Sequence, residues 1–228
     1  MDRLRTYRIT VVAWSLIAGL TATGWARVIY VDGASAVAGN GSSWTGAFVH
    51  LQDALAVADS GDEIRVAQGV YTPDRGIGIV PGDRDASFHL VSGVTLAGGY
   101  AGLVGDDPDE RDVERYETIL SGDLNGDDGE ITDAYHLADS PSRSDNSVNV
   151  VVAEGVSASV LDGFTIRDGH SPDVTGGHAT DGGGGLRIIG SSLAVRRCTF
   201  TRNWGPEGGA IFMRHARGDM ETLSEIHD

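Results

Sequence analysis

The sequence contains no lysine. All 17 of its basic side chains are arginines, so catalysis through a lysine base or Schiff base is excluded. Positive charge of any kind is scarce. Against those arginines stand 33 Asp and Glu, for a net charge of −16. Such a surface repels phosphate backbones and anionic lipid, which sets nucleic-acid binding aside. Cysteine occurs once, at Cys198, so no intramolecular disulfide framework exists. Long apolar runs are missing as well. The longest, Ile9 to Leu20, is well short of the roughly 20 residues a membrane span requires.

That run belongs to the one segment that does not read as fold. Arg3, Arg5 and Arg8 precede it, and Gly24-Trp25-Ala26 supplies small residues at −3 and −1 of a cleavage site. Residues 1–26 therefore read as an export signal, with the mature chain starting at Arg27. The position directly after the cleavage site is Arg27 rather than a cysteine, which argues against a lipid anchor. The mature chain carries 14 basic and 32 acidic residues, a net of −18.

Glycine is abundant, 33 of 228 residues, about twice its ordinary share. The glycines cluster at the ends of short apolar runs, the pattern of many strands and turns. Strand-like pieces begin at Val28 (VIYVD), Glu63 (EIRVA), Ser87 (SFHLVSGVTLAGGY) and Glu117 (ETIL). Others begin at Ser147 (SVNVVVAEG), Val160 (VLDGFTIRDG), Gly185 (GLRIIG) and Leu193 (LAVRRCTF). One helix is predicted, at about 46–59, from the apolar stripe Phe48, Leu51, Leu55 and Ala58 and the Ser60-Gly61 stop.

Internal repeats decide between sandwich and solenoid. Gly163 to Gly169 (GFTIRDG) aligns without gaps on Arg197 to Asn203 (RCTFTRN). Phe164 then matches Cys198, Ile166 matches Phe200, and Gly169 matches Asn203. GGGLRI from Gly183 aligns on GGAIFM from Gly208. The repeat length suits one β-solenoid coil, in which inward residues stack on their equivalents in the next coil. Asn203 falls at a turn, where its side chain can ladder and its backbone can turn left-handed.

The Phe-x-x-Asn and Gly-Gly-Ala-Ile motifs of Cys198 to Phe212 resemble the repeat of the chlamydial-type polymorphic outer membrane proteins. That repeat is also frequent in exported proteins of planctomycete-type bacteria. LQDALAVADSGDEIRVAQGVYTP is similar to the helix-capped opening of pectin-lyase-like proteins. The resemblance spans residues 28 to 213. It implies a right-handed parallel β-helix over 27–213 with an N-terminal capping helix, displayed on the outer membrane surface or released outside the cell. It implies an N-terminal fragment of a longer architecture, and leaves 214–228 as a disordered tail. It settles no activity, since such scaffolds host lyases, hydrolases, adhesins and spacers alike; an adhesive, structural or presentation role is expected, with a polysaccharide or a host or neighbouring cell surface as partner.

The densest acidic segment is SGDLNGDDGEITD. Asp123, Asn125, Asp127 and Asp128 are spaced like the oxygen ligands of a calcium loop, with Asp133, or Asp145 and Asn146, to complete the set. The glycine falls one place late for an EF-hand, and position 12 is Ala134. A solvated insertion of turn-forming Asp and Asn is the other reading. The rival function, a polysaccharide lyase or glycoside hydrolase on the same scaffold, needs convergent acid–base groups. Asp162, Asp168 and His170 are the available set, but both aspartates fall at turns. No polygalacturonase-type Asn-Thr-Asp, Gly-His-Gly or Arg-Ile-Lys is present. His50 and His89 lack partners at metal spacing. Trp44 and Trp204 suit either sugar stacking or packing, and Cys198 reads as a packed small hydrophobe.

Overall fold

The computed structural model describes residues 26–129, 136–171, 182–214 and 225–227. The expected export signal lies outside these residues apart from Ala26. Among the described residues, fourteen strands, numbered in chain order, form three sheets. The six-stranded sheet contains β1 (Val28–Val31), β2 (Glu63–Ala67), β5 (Thr95–Tyr100), β8 (Ser159–Asp162), β11 (Leu193–Arg196) and β14 (Glu225–His227). A four-stranded sheet contains β3 (Gly69–Tyr71), β6 (Thr118–Ser121), β9 (Thr165–Arg167) and β12 (Thr199–Thr201). The other holds β4 (Phe88–His89), β7 (Val151–Glu154), β10 (Leu186–Ile189) and β13 (Ile211–Arg214). Pairing between these strands is parallel throughout. From β2 onward the chain visits the sheets in one cyclic order, an arrangement that fits a β-helix.

Three side-chain ladders make the core. In the six-stranded sheet Ile29, Ile64, Leu96, Leu161 and Val195 stand in register, all buried. Tyr71, Leu120, Ile166 and Phe200 form the second ladder, and Phe88, Val151, Leu186 and Ile211 the third. Alternate residues of a strand face opposite ways, so each ladder keeps one apolar row inside. The register matches the repeats read from sequence: Phe200 pairs with Ile166, and Leu186 with Ile211.

The helix is shorter than its apolar stripe predicts. It spans Leu51–Val57 (α1), preceded by a 3-10 turn at Trp44–Gly46. The reason is tertiary. Phe48 donates its N–H to Tyr30 O at 2.9 Å and accepts from Asp32 N at 2.8 Å, so β1 claims the groups a longer helix would need. Leu51, Ala54 and Leu55 are buried, and the helix packs over β1, β2 and β4. Of the segment after β13, residues 225–227 pair with β11.

Positive φ marks the corners. Gly61, Gly93 and Ala158 each lie two residues before the register row Glu63, Thr95 and Val160, with φ of 99°, 72° and 55°. Two of the three are glycine because a Cβ in this region clashes with the following carbonyl. Ala158 is exposed, so Ala158→Gly should raise stability by about 0.5–1 kcal/mol, the relieved strain less the added freedom of the unfolded chain. Denaturant unfolding of the two proteins checks this. At the corner after β9 the left-handed residues are Asp168 and Arg202, one place before the glycine–asparagine match. Asn203 keeps the laddering role: its Oδ1 accepts from Gly169 N and its Nδ2 donates to Ile166 O, both at 2.9 Å.

Candidate functional site

The acidic segment after β6 is built around Asp123. Its Oδ1 accepts from Gly126 N at 2.7 Å and Asp127 N at 3.2 Å, and its Oδ2 from Asp128 N at 3.2 Å, which folds the loop back on itself. Asp123, Asp127 and Asp145 come together there, with one carboxylate oxygen from each lying within 4.8 Å of the others. Asp145 Oδ2 is buried and without a hydrogen-bond partner. Burial first, then the carboxylates of Asp127, Asp123 and Asp128, hold the Asp145 carboxyl above its usual range. This arrangement suits a divalent cation with oxygen ligands.

Of the other members of the expected ligand set, Asn125 is exposed. Asp128 points into the protein with its side chain 1% exposed, where it meets the fully buried Arg143. Arg143 Nη1 donates to Asp128 Oδ2 at 3.0 Å, and Asn146 Nδ2 donates to the same oxygen at 2.7 Å. Ser142 donates to Asp128 Oδ1 at 2.7 Å. The carboxylate is therefore satisfied without a metal. Asn146, considered above as a ligand, also donates to Asp168 O at 2.7 Å. Asp133 lies outside the described residues.

Arg143 holds several backbones at once. Its Nη2 donates to Gly169 O at 3.0 Å and Arg202 O at 2.8 Å, and its Nε to His170 Nδ1 at 3.3 Å. Asp168, buried beside it, also receives Arg202 Nη2 at 2.7 Å. His170 stacks on Trp204 with ring centroids 5.0 Å apart. Burial, then Arg143 and Arg84, push its pKa down to about 4, so the ring is neutral and accepts from Arg143.

The acid–base set considered from sequence is thereby used up in structure. Asp162 takes Arg197 Nε on Oδ1 at 2.8 Å and Arg197 Nη2 on Oδ2, with Arg111 at 3.3 Å. Burial opposes its charge, but Arg197 and Arg111 outweigh this and hold its pKa below the usual range. Asp168 and His170 serve the Arg143 cluster. Trp204 stacks on His170, and Trp44 packs between Tyr30 and Tyr100 while donating to Asp109 at 3.0 Å, so neither is an open sugar platform. Cys198 is half-buried, and burial pushes its thiol pKa up.

Arg143 escaped the sequence reading, although a signal was present. Between Arg115 and Arg167 it is the only arginine in an acidic stretch, and buried acids require a counter-charge.

A groove of about 580 Å³ is lined by Glu114, Glu117, Thr165 and Thr199 together with the inner-row residues Val195, Phe200 and Ile211. The outward rows of β3, β6, β9 and β12 are Val70, Ile119, Thr165 and Thr199, then Ser121, Arg167 and Thr201, with Arg167 paired to Asp168 at 3.1 Å. No helix among the described residues is long and apolar enough to cross a membrane. Comparisons with protein-family models, curated proteins and solved structures give no match for this chain.

Proposed function

We propose that this chain is an exported, right-handed parallel β-helix that serves as a non-catalytic surface scaffold, resting outside the cell on a rigid stack of strands. The observation that carries this reading is the commitment of Asp162, Asp168 and His170 to internal pairs, which removes the acid–base set considered from sequence. The outer face of β3, β6, β9 and β12 supports it, since it is aliphatic and hydroxyl apart from Arg167, which Asp168 holds. Reducing-sugar and unsaturated-product assays across a panel of polysaccharides should give no turnover, with or without calcium. Clear turnover of any substrate would establish the lyase or hydrolase reading instead. Protease shaving of intact cells producing the tagged chain should remove the tag, and a protected tag would end the surface assignment.

The scaffold reading includes Ca²⁺ held by Asp123, Asp127 and Asp145, supported by the orphaned Asp145 Oδ2. Extracellular sites bind in roughly the 10⁻⁴–10⁻³ M range. About 1 mM Ca²⁺ should then add about 0.4–1.4 kcal/mol by mass action, a rise in Tm of about 1–6 °C. Melting of the EDTA-treated protein with and without Ca²⁺ measures it, and Asp145→Asn should abolish the increment. An unchanged midpoint in the wild-type chain would remove the cation from the reading.

A further inference from the structure

The six-stranded sheet begins one strand earlier than the sheet that starts at β3. β1 lies beyond β2, whereas among the described strands nothing pairs beyond β3. At that edge is a pocket of about 290 Å³, bordered by Val49, His50, Leu51, Val70 and Arg75. Register leaves the edge open. Gly69 N donates to Glu117 O at 3.0 Å, and parallel strands bond through alternate residues, so Gly69 and Tyr71 serve β6. Val70 N–H and C=O therefore face the other way, and among the described residues no backbone group takes them. Such an edge is a template for a further strand. The pocket also holds two groups that bind anions, His50 and Arg75. Asp74 meets Arg75 only at Nε, at 3.6 Å, and is itself held by Thr72 Oγ1 at 2.6 Å and Gly82 N at 2.9 Å. The Arg75 Nη groups and the His50 ring have no hydrogen-bond partner among the described residues.

We propose that this pocket binds the C-terminal end of an extended peptide, which adds to the β3 edge as a strand and gives its terminal carboxylate to His50 and Arg75. The edge selects a peptide. Val70 offers one donor and one acceptor side by side, the pair that the main chain of an added strand satisfies. Charge selects its end. In a chain of net charge −16 the only ionisable side chains that could carry charge at this pocket near neutral pH are an arginine and a histidine, and the planar fork of arginine matches a carboxylate. The apolar wall of Val49 and Leu51 favours an aliphatic side chain on the peptide. A volume at the low end for ligand sites confines the contact to its last residues.

The test uses the whole exported chain and three probes titrated by NMR: acetyl-Ala-Val-Leu with a free carboxylate, the same peptide as its amide, and isovalerate. The free-acid peptide should bind saturably with Kd below about 1 mM, and the amide at least about tenfold more weakly. Isovalerate, a carboxylate without a main chain, should also bind at least about tenfold more weakly. Raising salt should weaken the free-acid peptide, since Arg75 is exposed. Bound peptide should slow hydrogen exchange at Val70 N–H. Arg75→Gln should cost about tenfold in affinity. Val70→Pro removes the edge N–H without touching the β6 ladder, a change edge strands tolerate, and should weaken binding as well. Equal affinity for acid and amide, no saturation in the millimolar range, or an unaffected Arg75→Gln variant would overturn the proposal. Isovalerate binding as tightly as the peptide, or unchanged exchange at Val70, would overturn strand addition. Comparing the three probes on the wild-type chain decides the selectivity whatever the variants do to folding.

Discussion

Arg143→Met should destabilise the protein by about 3–5 kcal/mol, the range for removing one partner of a buried ion pair. Methionine fills much of the same volume, so the loss is chiefly electrostatic. Arg143 is fully buried and its Nη1 is the cation nearest Asp128, itself 1% exposed. Without it Asp128 keeps only Asn146 and Ser142, two neutral donors, in a place water does not reach. Gly169 O and Arg202 O lose their Nη2 donor, and His170 Nδ1 loses its Nε donor. At about 2–4 °C per kcal/mol the Tm should fall by about 6–20 °C. Arg143→Lys should recover only part of this, because one ammonium cannot match a fork that reaches Asp128, His170 and two backbone carbonyls. Adding Asp128→Asn to Arg143→Met should restore some stability by removing the stranded charge. Denaturant unfolding of the four proteins gives the coupling energy directly. A loss below about 1 kcal/mol for Arg143→Met would show that the cluster contributes no more than a surface pair does.

The segment 122–129 is tied to 140–146 twice over, and this joins the cluster to the proposed cation. Asp123 and Asp127 lie on one side of the cation triad and Asp145 on the other. Asp128 faces Ser142, Arg143 and Asn146 in the same manner. The alternation of these aspartates along the loop sends some to solvent and one to the interior. Spacing alone cannot separate the two fates, because a buried carboxylate is defined by its partner. The ladder register, in contrast, was legible. Ile166 over Phe200 and Leu186 over Ile211 follow from repeated apolar positions, since a parallel strand shifted by one residue would turn its inner row outward. The start of α1 was not legible. Phe48 continues the helical stripe, yet its backbone is bonded to β1, a contact that local periodicity does not record. Asp168 did fall at a turn as read, whereas Asp162 is the last residue of β8, and their arginines arrive from the next circuit, Arg197 and Arg202. The sequence shows that pairing only once the circuits are aligned, with acids in one row and arginines in the next.

Lowering the pH from 7 to 5 should remove about 2 kcal/mol through His170 alone. In the unfolded chain this ring titrates near 6.5, whereas in the folded protein burial, then Arg143 and Arg84, hold it to about 4. Above pH 6.5 both states are neutral and the contribution is complete. Between 6.5 and 4 the unfolded chain takes up a proton that the folded chain refuses, so stability falls as pH falls. Below 4 the loss levels off at about 3 kcal/mol. Other groups titrate across the same range, so the readout is the difference between wild type and His170→Gln at each pH. Glutamine can still accept from Arg143 through Oε1 and carries no titrating proton. The wild-type advantage, whatever its size at pH 7.5, should shrink by about 2 kcal/mol at pH 5. Trp204 reports the same event optically, because its indole stacks on the ring that becomes charged. Its fluorescence in the folded protein should stay constant from pH 7 to about 5 and change only near pH 4, where the folded histidine protonates. Parallel stability curves for the two proteins, or a fluorescence midpoint near 6.5, would place the ring in ordinary contact with solvent and free of Arg143.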